Sequence, residues 1–76
     1  MGIACYGWCL DADGVNIIIE AMLESGVKVI SVTDGGYSCN DHRFHVFGVA
    51  DDKRQVQQTK DKIVKSSSDH GFHFQE

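Results

Sequence analysis

The sequence predicts an α+β fold in which four strands form one antiparallel sheet and two helices cover one face. Apolar and amphipathic segments follow in the order strand, helix, strand, strand, helix, strand. The link at residues 34–41 is too short for the crossover that parallel strands require, so its two flanking strands should form a hairpin. We therefore expect residues 1–76 to form a single ferredoxin-like βαββαβ domain.

The first half of the chain supplies a strand, a helix and a strand. Residues 3–10 are apolar throughout, which is typical of a buried central strand. Asp11 or Asp13 can cap the helix that follows, and Gly26 can end it in a left-handed conformation. Residues 27–33 are β-branched and predict the second strand. The helix has one apolar stripe, which consists of Val15, Ile18, Ile19, Met22 and Leu23.

The second half repeats this order with weaker patterns. Residues 34–41 form a turn and loop, and residues 43–50 form an apolar strand. Residues 51–67 are helical by propensity with an Asp cap, and residues 71–76 form a short last strand. The apolar face of this second helix is thin, because its large apolar side chains are Val56, Ile63 and Val64.

One face of the predicted sheet has no helices over it. Alternation along the first strand turns Cys5 and Cys9 inward, as buried structural thiols, and turns Tyr6 and Trp8 outward. In the last strand, His73 should also lie on this open face. Exposed aromatic side chains of this kind indicate a dimer interface, cover by the C-terminal tail, or a surface for a ligand or partner.

Composition limits the function classes. The formal net charge is −4 and residues 1–26 contain no Lys or Arg, whereas nucleic-acid binding requires clustered positive charge, so we expect no nucleic-acid partner. No stretch approaches the ~20 apolar residues of a membrane span. No basic segment precedes an apolar run at the N-terminus, so no secretory signal is expected. An odd count of 3 cysteines fits a reduced, cytoplasmic protein.

The turn after the first strand follows a family pattern. Gly14-Val15 opens an amphipathic helix, Gly26 closes it, and a β-branched strand follows. In this order the stretch IACYGWCLDADGVNIIIEAMLESGVKVISVT (residues 3–33) resembles the first half of ACT domains, which are small regulatory modules that often bind amino acids. The resemblance covers roughly residues 3–64, with Asp13 where the family has proline. It implies a homodimer that binds a small ligand at Leu10, Asp11, Asp13, Gly14, Val15 and Asn16.

The acidic turn also suggests two other activities. A calcium loop would require oxygen ligands where Val15 stands and a glutamate where Met22 stands, so this hypothesis fails. The DADGV motif also looks like the first motif of haloacid-dehalogenase-type phosphatases, with Asp11 as nucleophile and Asp13 as general acid. That chemistry requires a metal and a second carboxylate cluster in a far longer chain. We therefore expect no enzymatic activity, and a helix cap explains Asp13 and Gly14 without any chemistry.

Histidine and cysteine spacings resemble those of zinc sites. Cys39, His42 and His45 are separated by two residues each, as are His70 and His73. Residues at i and i+3 of a strand point to opposite faces, so such pairs cannot converge on a metal from a regular strand. Surface imidazoles are the simpler interpretation, and we expect no metal and no cofactor.

These observations together predict a non-catalytic binding module. One hypothesis is an ACT-like homodimer that senses a small ligand, for example an amino acid. The competing hypothesis is a stand-alone protein-interaction module, such as an inhibitor of a host machine encoded by a phage or mobile element. Base stacking on the open face is disfavoured because residues 43–50 lack the basic-Gly-aromatic signature of RNA-recognition strands. A protein partner would contact Tyr6, Trp8, Glu20, Glu24, Tyr37 and His73.

Overall fold

The elements follow the predicted order in the computed structural model, which describes residues 2–34, 43–66 and 72–76. The strands are β1 (Ile3–Cys9), β2 (Lys28–Asp34), β3 (Phe44–Ala50) and β4 (His73–Gln75). The helices are α1 (Ala12–Glu24) and α2 (Lys53–Ser66). Within the described residues, no helix combines the length and apolar content needed to cross a membrane.

The sheet has the strand order β2-β3-β1-β4, and all three neighbouring pairs are antiparallel. The central strands are therefore β1 and β3, while β2 and β4 form the edges. Each strand–helix–strand half passes over one strand of the other half, so the two halves interleave. This is the ferredoxin-like arrangement, and both the predicted fold class and the predicted β2–β3 hairpin pairing are confirmed.

A single hydrophobic core lies between both helices and one face of the sheet. The strands contribute alternate residues to it, namely Cys5, Cys9, Val46, Ala50 and Phe74. The helices contribute Val15, Ile18, Ala21, Met22, Val56 and Ile63. Cys5 and Cys9 are free thiols and are buried, as the strand alternation predicts.

Two predicted core positions are wrong. Leu23 is 60% exposed and Val64 is 79% exposed. Each follows a buried residue, Met22 or Ile63, by one position, which is about 100° of rotation around a helix. On α2 the fully buried Thr59 fills the core instead, because its hydroxyl donates a 2.8 Å bond to the backbone carbonyl one turn earlier.

The helix ends have the predicted chemistry. Gly26 follows α1 with a φ of 81°, the left-handed conformation expected there. Before α2, one carboxylate oxygen of Asp52 accepts bonds from the backbone N–H groups of Arg54 (2.9 Å) and Gln55 (3.2 Å). The Gln55 side chain accepts in turn from the backbone N–H of Asp51 at 2.6 Å. These reciprocal bonds fix where the second helix begins.

The edge strand β2 is irregular. Val29 pairs with Gly48, but Ser31 pairs with Phe47, so one extra residue is inserted between these two rungs. The extra residue is Ile30, which is 57% exposed. The insertion returns Ser31 and Thr33 to the open face of the sheet, opposite Phe47 and His45 of β3.

Candidate functional site

The turn between β1 and α1 contains the residues predicted to bind a ligand. Asp11 is the N-cap of α1, with extended backbone angles (φ −142°, ψ 165°). Its Oδ1 accepts the backbone N–H of Gly14 at 2.8 Å. Asp13 lies inside the helix, in its first turn, and its side chain is exposed. The predicted cap is therefore confirmed at Asp11, and the assignment of the cap to Asp13 is wrong because a cap residue must precede the first helical residue.

Protein atoms fill the inner side of this turn. The Cys9 thiol donates to the backbone carbonyl of Asp11 at 3.2 Å. A Cβ at Gly14 would lie 2.9 Å from both Cβ and Sγ of Cys9, so only glycine lets α1 start this close to β1. Gly14 thus has a packing role at the position where the sequence also predicted ligand contact.

Exposure divides the predicted ligand site into two sets. Gly14 and Val15 are buried. The side chains that face solvent around the half-buried Asp11 are Leu10, Asp13 and Asn16. A ligand at this turn would contact one apolar side chain, one amide and carboxylates, a set that suits an ammonium group better than a carboxylate.

Aromatic side chains line the face of the sheet that the helices leave open. Tyr6 pairs with Phe47 across β1 and β3, and Trp8 pairs with His45 on β3 and with His73 on β4. The structure therefore brings the predicted Tyr6, Trp8 and His73 together on one surface. It adds two rings from β3 that were not predicted.

Three of these rings form a cluster, which we call the ring cluster: Tyr6, His45 and Phe47. Their centroids are separated by 5.0 Å (Tyr6–Phe47), 5.5 Å (Tyr6–His45) and 6.5 Å (His45–Phe47), and their planes differ by 13° to 29°. The three centroids form a triangle, so the rings do not stack in one column. They lie next to one another on the sheet, with nearly parallel planes. The Tyr6 hydroxyl bonds Nδ1 of His45 at 2.5 Å and fixes this arrangement. Phe47 remains 41% exposed.

A second aromatic group lies beside the ring cluster. Trp8 stacks on His73 with centroids 5.3 Å apart and an interplanar angle of 21°. The guanidinium carbon of Arg43 lies 4.4 Å from the centroid of the Trp8 ring, within cation–π range. Nε2 of His73 bonds Oε1 of Gln75 at 3.1 Å, which holds the imidazole against the indole. Trp8 is thus fixed by contacts from both neighbouring strands.

Charge is distributed unevenly between the two sides of the molecule. Within residues 2–34, 43–66 and 72–76, the open face has two Lys or Arg side chains, Arg43 beside Trp8 and Lys28, which pairs with Val49 of β3. Among the described residues, no open-face strand position is occupied by Asp or Glu. The exposed acidic residues of the helices and their starts lie on the other side, and they are Asp13, Glu20, Glu24, Asp51, Asp52 and Asp61.

The acidic residues predicted for partner contact are therefore separated from the aromatic ones. Glu20 and Glu24 lie on α1, on the helix side of the sheet. Lys62 of α2 donates to Glu24 in an ion pair of 3.1 Å, and the side chains are 41% (Lys62) and 64% (Glu24) exposed. A single flat partner cannot contact both Glu24 and the open face.

The histidines do not form a metal centre in the part of the chain that the structure describes. Within that part, no three His, Cys, Asp or Glu side chains come close enough to hold an ion. His45 bonds Tyr6, and His73 bonds Gln75. Four residues of the earlier hypotheses fall outside the described ranges, and they are Tyr37, Cys39, His42 and His70.

Arg43, His45 and Phe47 also belong to the open face, although they were not predicted to lie there. The signal for them was available, because the segment RFHVFGVA alternates in the same way as β1. Its helix-facing residues are buried or half-buried, and the intervening residues form the ring cluster and the contact to Trp8. Alternation does not predict the register between β1 and β3, which places Phe47 opposite Tyr6. No protein-family model and no curated protein sequence matches this chain.

Proposed function

We propose that this protein is a non-catalytic binding module whose recognition surface is the open face of the sheet. The observation that supports this proposal is the set of five side-chain rings on that face: Tyr6, Trp8, His45, Phe47 and His73. Rigid rings provide a large contact area at a low cost in side-chain entropy, which is why aromatic residues are enriched in binding surfaces.

Stabilisation of the sheet alone explains these rings less well. A cross-strand pair contributes roughly 0.2–1 kcal/mol, and β-branched residues pair across strands without exposing a large aromatic surface. An antiparallel sheet normally presents polar side chains on its solvent side. Here Phe47 is 41% exposed at the centre of that side, and an exposed apolar patch of this kind is typical of a docking surface.

The acidic turn supports a binding role rather than a catalytic one. A phosphatase-like nucleophile must present a carboxylate oxygen to the substrate beside a metal. The Oδ1 of Asp11 already accepts the Gly14 N–H as part of the helix cap. Asp13 is exposed in the first turn of α1, and a general acid gains little from such a solvated position.

A second candidate function is the ACT-like one, in which a homodimer senses a small ligand at the first turn. The fold order and the exposed Leu10, Asp13 and Asn16 beside Asp11 favour it. Since carboxylates border this turn, the ligand group nearest to them would be an amine. An amino acid that presents its ammonium group to Asp11 and Asp13 meets this requirement.

Mapping by NMR separates the two candidates. Amide resonances and the single Trp indole resonance of the labelled protein are followed while amino acids, then protein and nucleic-acid fractions of a cell extract, are added. We expect shifts at Trp8, His45 and Phe47, and we expect Phe47→Ser to abolish them. Val64→Ser, on the helix side, is the matched control and should leave the shifts unchanged.

The location of the shifts decides the outcome. Shifts confined to residues 10–16 on addition of an amino acid would replace the open-face proposal with the ACT-like one. If every fraction leaves both the open face and the turn unperturbed, both candidates are wrong.

A further inference from the structure

We propose that the occupant of the open face is a single-stranded nucleic acid, whose bases stack on the exposed rings and whose phosphates contact Arg43 and Lys28. This inference rests on the proposed function, since it names the partner of the same surface. Base–aromatic stacking is tolerant of sequence because every base has a π-face, so the proposal concerns a chemical class and not a particular sequence.

The ring geometry fits bases that are splayed apart. The ring cluster around Tyr6 and the Trp8–His73 stack start from alternate residues of β1, which lie ~7 Å apart along a strand. This separation is about twice the ~3.4 Å spacing of stacked bases in one strand of a duplex. Two consecutive bases can therefore each contact a ring surface only after unstacking from one another, which a single strand permits and a duplex does not.

The charge of the open face also suits this occupant. The sequence argued against nucleic acid because the total charge is negative, but the fold separates the charges. Arg43 lies over the Trp8 ring, Lys28 lies on the same face opposite Val49, and the acidic side chains of the helices lie behind the sheet. The field that a bound strand meets is set mainly by the nearby charges, because salt screens charges beyond a Debye length of ~8 Å.

The same charges disfavour a second copy of this chain as the occupant. Two open faces in a two-fold dimer would bring together the cationic side chains Arg43 and Lys28 of both molecules, and no strand position on the described part of either face has a carboxylate to pair with them. Such a juxtaposition of like charges opposes the face-to-face contact. A polyanion with flat aromatic groups satisfies both the charge and the rings of this surface.

The experiment measures binding of oligonucleotides of about ten nucleotides, a typical site size for such modules. Emission of Trp8, the single tryptophan, and the anisotropy of labelled oligo(U) and oligo(dT) are recorded together. We expect Trp8 quenching by at least one of the two single strands and weaker binding of a duplex. Comparison of the two oligonucleotides separates RNA from DNA as the source of the bases.

Matched variants connect the binding to the named residues. Phe47→Ser should weaken binding about ten-fold, the order expected for loss of one stacking ring, and Phe47→Tyr should restore it. Arg43→Gln should reduce the magnitude of the log–log salt slope by about 0.7, the value for one phosphate contact in a single strand. Val64→Ser should change neither, and each variant is first checked for a native circular dichroism spectrum.

The results that would overturn the inference are specific. Absence of binding to both single strands, equal or tighter binding of the duplex, or wild-type affinity of Phe47→Ser would each refute it. If the open-face resonances then respond to a protein fraction, or to self-association with a doubled mass, the open face remains the recognition surface and only the nucleic-acid partner is wrong. If those resonances respond to nothing, the proposed function fails as well.

Discussion

At the scale of single residues, Asp11 and Asp13 show how position decides the role of identical side chains. Asp11 precedes α1 and accepts the Gly14 N–H at 2.8 Å. Asp13 lies within the first turn, where its charge is close to the positive end of the helix dipole. The two carboxylates are two residues apart, yet only Asp11 holds the backbone in the conformation that starts the helix.

Removal of the cap should therefore cost more stability than removal of the neighbouring charge. We expect Asp11→Ala to lower the free energy of unfolding by ~1 kcal/mol, the usual cost of losing a cap. Asp13→Ala should lower it by about 0.3 kcal/mol, the lower end of the range for a charge near the dipole of an exposed helix end. Urea unfolding followed by Trp8 fluorescence measures both.

Asp11→Asn is the control for this pair, because asparagine retains a capping oxygen without the charge. It should behave more like the wild type than like Asp11→Ala. A larger loss in Asp13→Ala than in Asp11→Ala would contradict the assignment of the cap.

The sequence predicts that an aspartate caps α1, but it does not indicate which of the two aspartates is the cap. That choice depends on where β1 ends and how closely α1 packs on it. Two features fix this point: the Cys9 thiol donates to the Asp11 carbonyl, and Gly14 packs so closely on Cys9 that a Cβ at Gly14 would lie 2.9 Å from its side chain. Local pattern contains no information about such contacts.

At the scale of elements, α2 shows the limit of counting apolar residues. The sequence identified a thin apolar face and included Val64 in it. In the fold, Val56 and Ile63 are buried, Thr59 is fully buried between them, and Val64 points to solvent. A polar residue can complete a helix face when its hydroxyl bonds to the helix backbone, as Thr59 does to the carbonyl of Gln55.

Two conservative truncations on α2 should therefore change the free energy of unfolding in opposite directions. Ile63→Val removes one methyl group from the core and should destabilise the protein by about 1 kcal/mol. Val64→Ala removes exposed atoms and replaces a β-branched residue in a helix, so stability should rise by a few tenths, up to ~0.6 kcal/mol. Thermal and urea unfolding measure both changes. A destabilising effect of Val64→Ala would contradict the placement of Val64 on the solvent-exposed face of α2.

At the scale of the whole molecule, the fold class was predictable because few topologies fit the order of elements and the short 34–41 link. The distribution of charge was not predictable in the same way. A net charge of −4 is a sum over the chain, whereas a partner meets the residues that one face brings together. Arg43, Lys28 and the rings lie on one surface only after the four strands have formed the sheet.

The buried thiols make stability depend on pH on the alkaline side. Burial raises the pKa of Cys5, with a further contribution from the charge of Glu76. Burial likewise raises the pKa of Cys9, the charge of Asp11 raises it further, and together they outweigh the lowering effect of a backbone hydrogen bond at Asp11. In the unfolded chain these thiols ionise near their ordinary pKa of ~8.5. Stability is therefore fully present below that pH and falls as pH rises toward the folded-state pKa values, because the unfolded state then binds fewer protons.

Urea midpoints between pH 7 and pH 10 in a Cys39→Ser background test this dependence. The midpoint should fall more steeply above about pH 8.5 than in a variant that also contains Cys5→Ala and Cys9→Ala. Because the variant is less stable at every pH, the quantity to compare is the change of the urea midpoint per pH unit and not the midpoint itself. Parallel profiles would show that the two thiols do not contribute.

The extra residue at Ile30 has a consequence for how these molecules behave when they are concentrated. A straight edge strand offers a row of unsatisfied amides and carbonyls onto which a neighbouring chain can add, and such addition leads to fibrils. In this sheet the bulge at Ile30 breaks that row on β2, and the opposite edge, β4, is only 3 residues long. The bulge at Ile30 therefore disfavours fibril growth, even though Ile30 and Val32 present apolar side chains at that edge.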